Sequence, residues 1–226
     1  MNSDTGREIR LAGIGTVEGG RAERTIIDGM GKVTGDLDSG AVIVNGQATF
    51  KGSVQAEHAE INGLAGIHGG LRTKKCRVEG KLTVEESLEA DEAAVNGSLT
   101  VHGPCRIGRL LSHGKLQLDA LNGDEIRLEL QGGSSIRELS ARFIQTKASS
   151  SDLHGWQKLL PLPAIQNRLL AQTIEGEEIV LEHVTASLVR GVKVRIGPGC
   201  EIGRVEYTEQ FERHADARVD SEVRLT

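Results

Sequence analysis

Any chemistry in this chain would have to come from residues that a regular spacing brings together. Thr34, Lys51, His68, Glu85, His102 and Asp119 follow one another at intervals of 17. If those intervals stack in space, His68, Glu85 and His102 lie on successive layers, and two imidazoles beside a carboxylate form a donor set of the kind zinc takes. The same column also reads as a solvated ladder of mixed charge, in which opposite neighbours help fix the register between layers. The ladder is the preferred reading, because no second cluster closes a coordination sphere, so no metal ligand is assigned. A parallel column runs Asp28, Asn45, Asn62, Glu79, Asn96 and His113. Its three asparagines have the side-chain amides that bridge stacked parallel strands.

Nucleophilic chemistry has less to work with. Cys76, Cys105 and Cys200 are odd in number and widely spaced, so they make no metal-type pair. Cys76 and Cys105 fall in the columns of Ala59, Ala93, Val54 and Leu88 and read as small buried hydrophobes of a reducing compartment. No serine or cysteine has a local activating partner, and no glycine-rich loop matches a phosphate cradle. The expectation is a protein without catalytic residues or cofactor. If it assembles, it does so without hydrolysing nucleotide.

The element that positions these columns is an internal repeat. Gly29, Gly46, Gly63, Gly80, Gly97 and Gly114 stand 17 residues apart. Glycine is 29 of 226 residues, too few for six to fall on one arithmetic series by accident. Two residues before each lies Ile27, Val44, Ile61, Val78, Val95 or Ser112; four after lies Val33, Phe50, Ile67, Val84, Val101 or Leu118. Within a unit, apolar and small residues fill every second position, as in Val44, Gly46, Ala48, Phe50, Gly52 and Val54, which is the strand period. An odd step cannot keep that alternation unbroken. The break falls between Ser39 and Val42, where Gly40 and Ala41 form a corner with one extra residue.

A single unit cannot bury its apolar face, whereas stacked units can, each strand pairing in parallel with its equivalent one coil away at roughly 4.8 Å. The expected fold is therefore all-β: a β-helix, or parallel β-solenoid, of about 17 residues per coil with three short strands in each. Aromatics are 2% of the chain, which suits a narrow interior of Val, Ile, Leu and Ala. A net charge of −5 and scarce aromatics exclude both phosphate neutralisation and base stacking as a binding mode, so no nucleic-acid partner is expected. The first ten residues hold no apolar run, so neither a signal peptide nor a membrane span is expected, and the location implied is cytoplasmic.

Along the chain, residues 13–19 copy 29–35 at a step of 16, giving a shorter first coil. Residues 9–122 make the regular β-helix. After Leu118 the glycine register disappears while alternation continues, and a second β-helical lobe is expected over 123–207. Within it, 151–173 reads as an insert in which Pro163 opens a short helix through Ala171, with Ile165 and Leu169 on one face. The charged tail 208–226 ends the solenoid.

Two family resemblances follow from these motifs. Ile196-Gly197-Pro198-Gly199-Cys200-Glu201-Ile202-Gly203 looks like the hexapeptide repeat of left-handed β-helix acyltransferases, an alternative that would make the protein an enzyme. That match covers eight residues, and the rest of the chain steps by 17, not 18. The broader resemblance is to bactofilins, the polymer-forming bacterial cytoskeletal family. It rests on residues 27–103, where an apolar residue, any residue and glycine recur, as in Ile27-Asp28-Gly29 and Val33-Thr34-Gly35. This chain resembles a longer, two-lobed member. The resemblance implies a right-handed, non-enzymatic β-helix that joins end to end without nucleotide and organises cell-shape, envelope or motility machinery. Its implied partners are itself or a paralogous bactofilin, together with envelope or motility proteins that would hold it at the inner face of the membrane. A solenoid's ends expose unpaired strand edges and an open core. With no cap evident before Leu11, the expected self-assembly surface includes Leu11, Ile14 and Val17.

Overall fold

A computed structural model describes residues 6–148 and 167–226. It is a parallel β-solenoid of about 12 turns. The strands are β1 (Glu8–Leu11), β2 (Ile14–Ile27), β3 (Met30–Val44), β4 (Gln47–Phe50), β5 (Val54–Ile61), β6 (Leu64–Ile67), β7 (Leu71–Val78), β8 (Lys81–Val84) and β9 (Leu88–Val95). They continue with β10 (Ser98–Ser112), β11 (Lys115–Leu130), β12 (Ser134–Ala148), β13 (Leu169–Leu181), β14 (Val184–Ile196), β15 (Glu201–Arg213) and β16 (Arg218–Arg224). Each rung has three sides. The first side is 30–33 in β3 and then β4, β6 and β8; the second begins at Leu37, Val54, Leu71 and Leu88; the third ends at Val44, Ile61, Val78 and Val95. Among the described residues all pairings are parallel, and the strands form one continuous 16-stranded sheet.

The expected step holds through the middle: Met30 pairs with Gln47, Gln47 with Leu64, Leu64 with Lys81 and Lys81 with Ser98. The first coil is shorter, Ile14 pairing with Met30, until a register shift beyond Glu18 restores the longer step at Gly20 and Leu37. The corner predicted at Gly40 and Ala41 is also present. Ser39 and Val42 are both buried with those two residues outside, and Glu57-His58, Lys74-Lys75 and Asp91-Glu92 repeat the pattern.

Glycine repeats because backbones meet. A Cβ on Gly46, Gly63, Gly80, Gly97 or Gly114 would lie closer than 3.0 Å to the carbonyl oxygen of the glycine one rung before it. None of these five has a positive φ, so close approach rather than left-handed backbone excludes a side chain. Each tight corner hands the chain from the third side of one rung to the first side of the next.

Beyond Gly114 the corners change and the glycine column ends, while the pairing persists. Gln117 pairs with Ser135, Leu169 with Val184, Thr185 with Glu201 and Glu201 with Arg218, so length variation is absorbed at corners without breaking the ladder. The boundary drawn between 122 and 123 falls inside β11, which pairs continuously with β10 and β12. The tail 208–226 holds the end of β15 and all of β16, the last pairing in the sheet.

The expected helical insert is not supported. Leu169, Leu170 and Ala171 open β13, with Leu169 buried and paired to Ser134 and Val184. A short apolar run with two adjacent leucines fits either structure, and pairing on both edges settles these residues as strand. Residues 151–166 of the insert lie outside the described residues. Among the described residues there is no helix, hence none long and apolar enough to cross a membrane.

The interior is a set of ladders of aliphatic side chains, with Phe50 enclosed between Val33 and Ile67. Polar exceptions are satisfied. Thr146 Oγ1, fully enclosed, donates to the Glu182 carbonyl and accepts from the Glu182 amide, both at 2.9 Å, bridging a corner where the rung step is large.

Candidate functional site: ladders and terminal rungs

The residues singled out for chemistry lie on the outer surface as ladders. Asn45 Nδ2 donates to Asp28 Oδ1 at 2.7 Å, Asn62 Nδ2 to Asn45 Oδ1 at 2.9 Å, and Asn96 Nδ2 to Glu79 Oε1 at 2.9 Å. His113 Nδ1 continues the column, 3.1 Å from Asn96 Oδ1. These amides sit over the glycine corner, joining side chains where backbones are closest.

In the histidine column, Lys51 Nζ is 2.9 Å from His68 Nε2, and His102 Nε2 is 3.8 Å from Glu85 Oε2. The column runs on to Asp119, which faces Arg137 at 3.7 Å. Among the described residues, no three His, Cys, Asp or Glu side chains converge as a metal ion would need. The extra-residue corner carries a ladder absent from the expectations. Glu57 meets Lys74 at 2.7 Å, Arg109 reaches Glu92 at 3.5 Å and Glu125 at 3.2 Å, and Asp124 meets Arg142 at 3.1 Å. These pairs are exposed and screened by solvent, so each contributes little by itself. Their shared effect is on register, because a one-rung slip would set like charges opposite each other.

Cys76, Cys105 and Cys200 are free and buried. Burial pushes the Cys76 and Cys105 thiols up to about 12, so they remain protonated and unreactive at neutral pH. The hexapeptide-like stretch forms a turn between β14 and β15, with Gly199 at φ 69°. Ile196 and Ile202 are inward on successive sides, yet neighbouring rungs pair Leu181 with Ile196 and Thr185 with Glu201, short of the 18 residues that three six-residue sides would require.

Among the described residues, one carboxylate is unlike the others. The Glu206 side chain is only 11% exposed, and it accepts from Arg190 Nε and Arg204 Nε, both at 2.8 Å. The Arg190 hydrogen bond, opposed by desolvation and aided by the charges of both arginines, holds the Glu206 carboxyl below the ordinary carboxylate range. A carboxyl depressed in the folded state stabilises the fold above its unfolded pKa, and that stability is lost as pH falls through the folded value. Glu212, held down by Arg195, acts in the same sense. Melting temperature is therefore expected to fall on acidification below about pH 4, the unfolded carboxylate value. Glu206→Gln should lower it at pH 7 and flatten the drop between pH 7 and pH 3; an unchanged slope in thermal melts would remove Glu206 from the account.

At the N-terminal end the structure separates the three residues proposed for self-assembly. Leu11 and Val17 are half-buried against the core, and Leu11 lies over Gly15 and Gly31. Ile14 points outward, 82% exposed, and pairs with Met30, itself exposed. The signal was present in the repeat: Ile14 copies Met30, between the inward positions Gly29 and Gly31. The first coil is also partly covered. β1 pairs with residues 24–27, burying Ile9, and Arg7 donates to the carbonyls of Gly19 at 3.2 Å and Glu18 at 3.1 Å. Among the described residues, the outer edge of residues 14–18 pairs with no strand.

Comparisons with known proteins reach part of the chain. A stretch of 106 residues is 36% identical to "Uncharacterized protein YhbE" of Bacillus subtilis (strain 168), covering 46% of this chain and 43% of the relative. "Uncharacterized protein YhbF" of the same strain is 32% identical over 106 residues, 46% of this chain and 41% of the relative. The chain thus spans under half the length of these curated relatives. No family model and no solved structure matches it.

Proposed function

We propose that this protein is a non-enzymatic, bactofilin-like scaffold that associates with itself through the ends of its solenoid, without nucleotide. The observation that carries this reading is the outer strand edge at residues 14–17, which pairs with no strand among the described residues and lies beside Leu11 and Val17 over an aliphatic interior. Unpaired backbone donors and acceptors next to apolar side chains are a template for another strand. The outer ladders support the same reading, since their polar groups are already engaged in holding rungs together. In this proposal the scaffold is cytoplasmic and partners with itself or a paralogous chain. It lies at the inner face of the membrane through envelope or motility proteins, whose positions it organises.

Negative-stain microscopy of the purified chain, with and without nucleotide, tests the class. The expectation is discrete multimers or filaments in both conditions. Assembly that requires nucleotide, or isolated single solenoids in both conditions, would contradict the proposal.

A further inference from the structure

One flank of the solenoid differs from the others in what it leaves unpaired. The first side of each rung carries two outward columns. One runs from Ile14 through Met30, Gln47 and Leu64 to Lys81 and Lys115. The other passes through Lys32, Thr49, Thr83 and Thr100 and continues to Leu170. Among the described residues, six large hydrophobic side chains are exposed, and four of them, Ile14, Met30, Leu64 and Leu170, stand on this side. Between residues 14 and 117 neither column holds a carboxylate, in a chain with 32 acidic residues.

The lysines here also lack the partners that lysines find at the extra-residue corner. Lys74 meets Glu57 at 2.7 Å and Lys75 meets Glu92 at 3.8 Å, each one rung away. Among the described residues, Lys32, Lys81 and Lys115 meet no carboxylate. Apolar and cationic side chains are segregated along the axis, with Ile14, Met30 and Leu64 in the N-terminal part of the column and Lys81 and Lys115 in the part that follows.

Apolar side chains gathered on one exposed face mark an interaction surface, and cations without internal partners select an anionic one. A second copy laid face to face would set lysines against lysines. A planar anionic lipid surface would also touch the margins, where Asp28 and Glu79 at one corner and Asp36, Glu85 and Glu86 at the other are exposed and would repel it. A narrow rod avoids both. An α-helix is about 10–12 Å across, and a side of four residues spans about 13 Å. One helical turn rises about 5.4 Å against roughly 4.8 Å per rung, so a helix laid along the solenoid axis sets about one turn over each rung.

From this arrangement we infer that the first side of the solenoid docks an acidic amphipathic helix of a partner protein, with its apolar turns over Met30 and Leu64 and its carboxylates over Lys81 and Lys115. Leu64, Lys81 and Lys115 lie two, three and five rungs beyond Met30. At one turn per rung, the helix carries an apolar residue at its start and again about 7 residues on, then Asp or Glu about 11 and about 18 residues on. The inference concerns the flank and does not rest on the self-association proposed above.

Fluorescence anisotropy with the full chain and a labelled synthetic peptide tests this. The probe is an alanine-rich helix of about 22 residues with leucines and glutamates at those spacings, and its control has lysine in place of both glutamates. The glutamate peptide is expected to bind, less tightly as salt is raised, and the lysine peptide not to. Lys81→Glu with Lys115→Glu should invert that preference. Met30→Ser with Leu64→Ser should weaken the glutamate peptide about tenfold or more. All four positions are exposed, so the β-type circular dichroism spectrum should be unchanged in both variants. No binding of the glutamate peptide, or binding that ignores the charge inversion, would overturn the inference. It would be overturned equally if phosphatidylglycerol vesicles, and neither peptide, bound the chain and the glutamate pair abolished that binding, which would assign the face to a lipid surface.

Discussion

Alanine at Gly80 is expected to destabilise the solenoid by about 3 kcal/mol or more, one of the largest effects a single methyl group could have in this fold. The added carbon would meet the Gly63 carbonyl oxygen, with the Asn62 carbonyl also closer than 3.0 Å. These are backbone atoms, so no side-chain rotation relieves the clash. Separating the strands would strain the hydrogen bonds from Lys81 N to Gly63 O at 2.9 Å and from Ser98 N to Gly80 O at 2.8 Å, which tie consecutive rungs at the same corner. Gly66 is the control. Nothing lies within 4 Å of a Cβ there and its φ is not positive, so Gly66→Ala should be neutral or stabilise by about 0.4–1 kcal/mol through the unfolded chain. Denaturant midpoints of the two variants decide it, and equal midpoints would dismiss close approach as the reason for the glycine repeat.

The second large effect is expected at Phe50. It is 1% exposed and stacked between Val33 and Ile67 in a column otherwise made of aliphatic residues. Phe50→Ala should cost about 3–5 kcal/mol, since the ladders above and below are held by strand pairing and cannot collapse into the void. Phe50→Leu should cost less than about 1.5 kcal/mol, because the site then resembles its neighbours in the column. A leucine variant as damaged as the alanine one would mean that the aromatic ring has a role other than filling the column.

Much of this architecture is legible in the sequence wherever the step is constant. The spacing of Gly29 to Gly114 yields the inward columns and the Asn45–Asn62 ladder, because a fixed step makes sequence distance equal to one rung. The same spacing locates the corner at Gly40 and Ala41, since an odd step must break alternation somewhere. Where the step varies, that equivalence fails. The charges that finish the inward columns at Arg213, Glu222 and Arg224 look like an ordinary polar tail until the pairing from β13 to β16 assigns each to a column. Leu169 and Leu170 suggest a helix because neither their strand partners nor the rung they belong to is marked by a glycine. Ile14 illustrates a different failure. Its type suggests the core, while its parity, shared with Met30, puts it in water. The partial rung at β1 is missed because four residues are too few to show a period, and Arg7 is missed because its role is to cover backbone carbonyls.

Sedimentation velocity of the full chain across a wide concentration range, in buffer without nucleotide, bears most directly on the claim that this solenoid associates through its exposed N-terminal rung. The expected result is a species heavier than the 24.2 kDa chain that gives way to the single chain in Leu11→Lys with Val17→Lys. A single 24.2 kDa species at every concentration would contradict it.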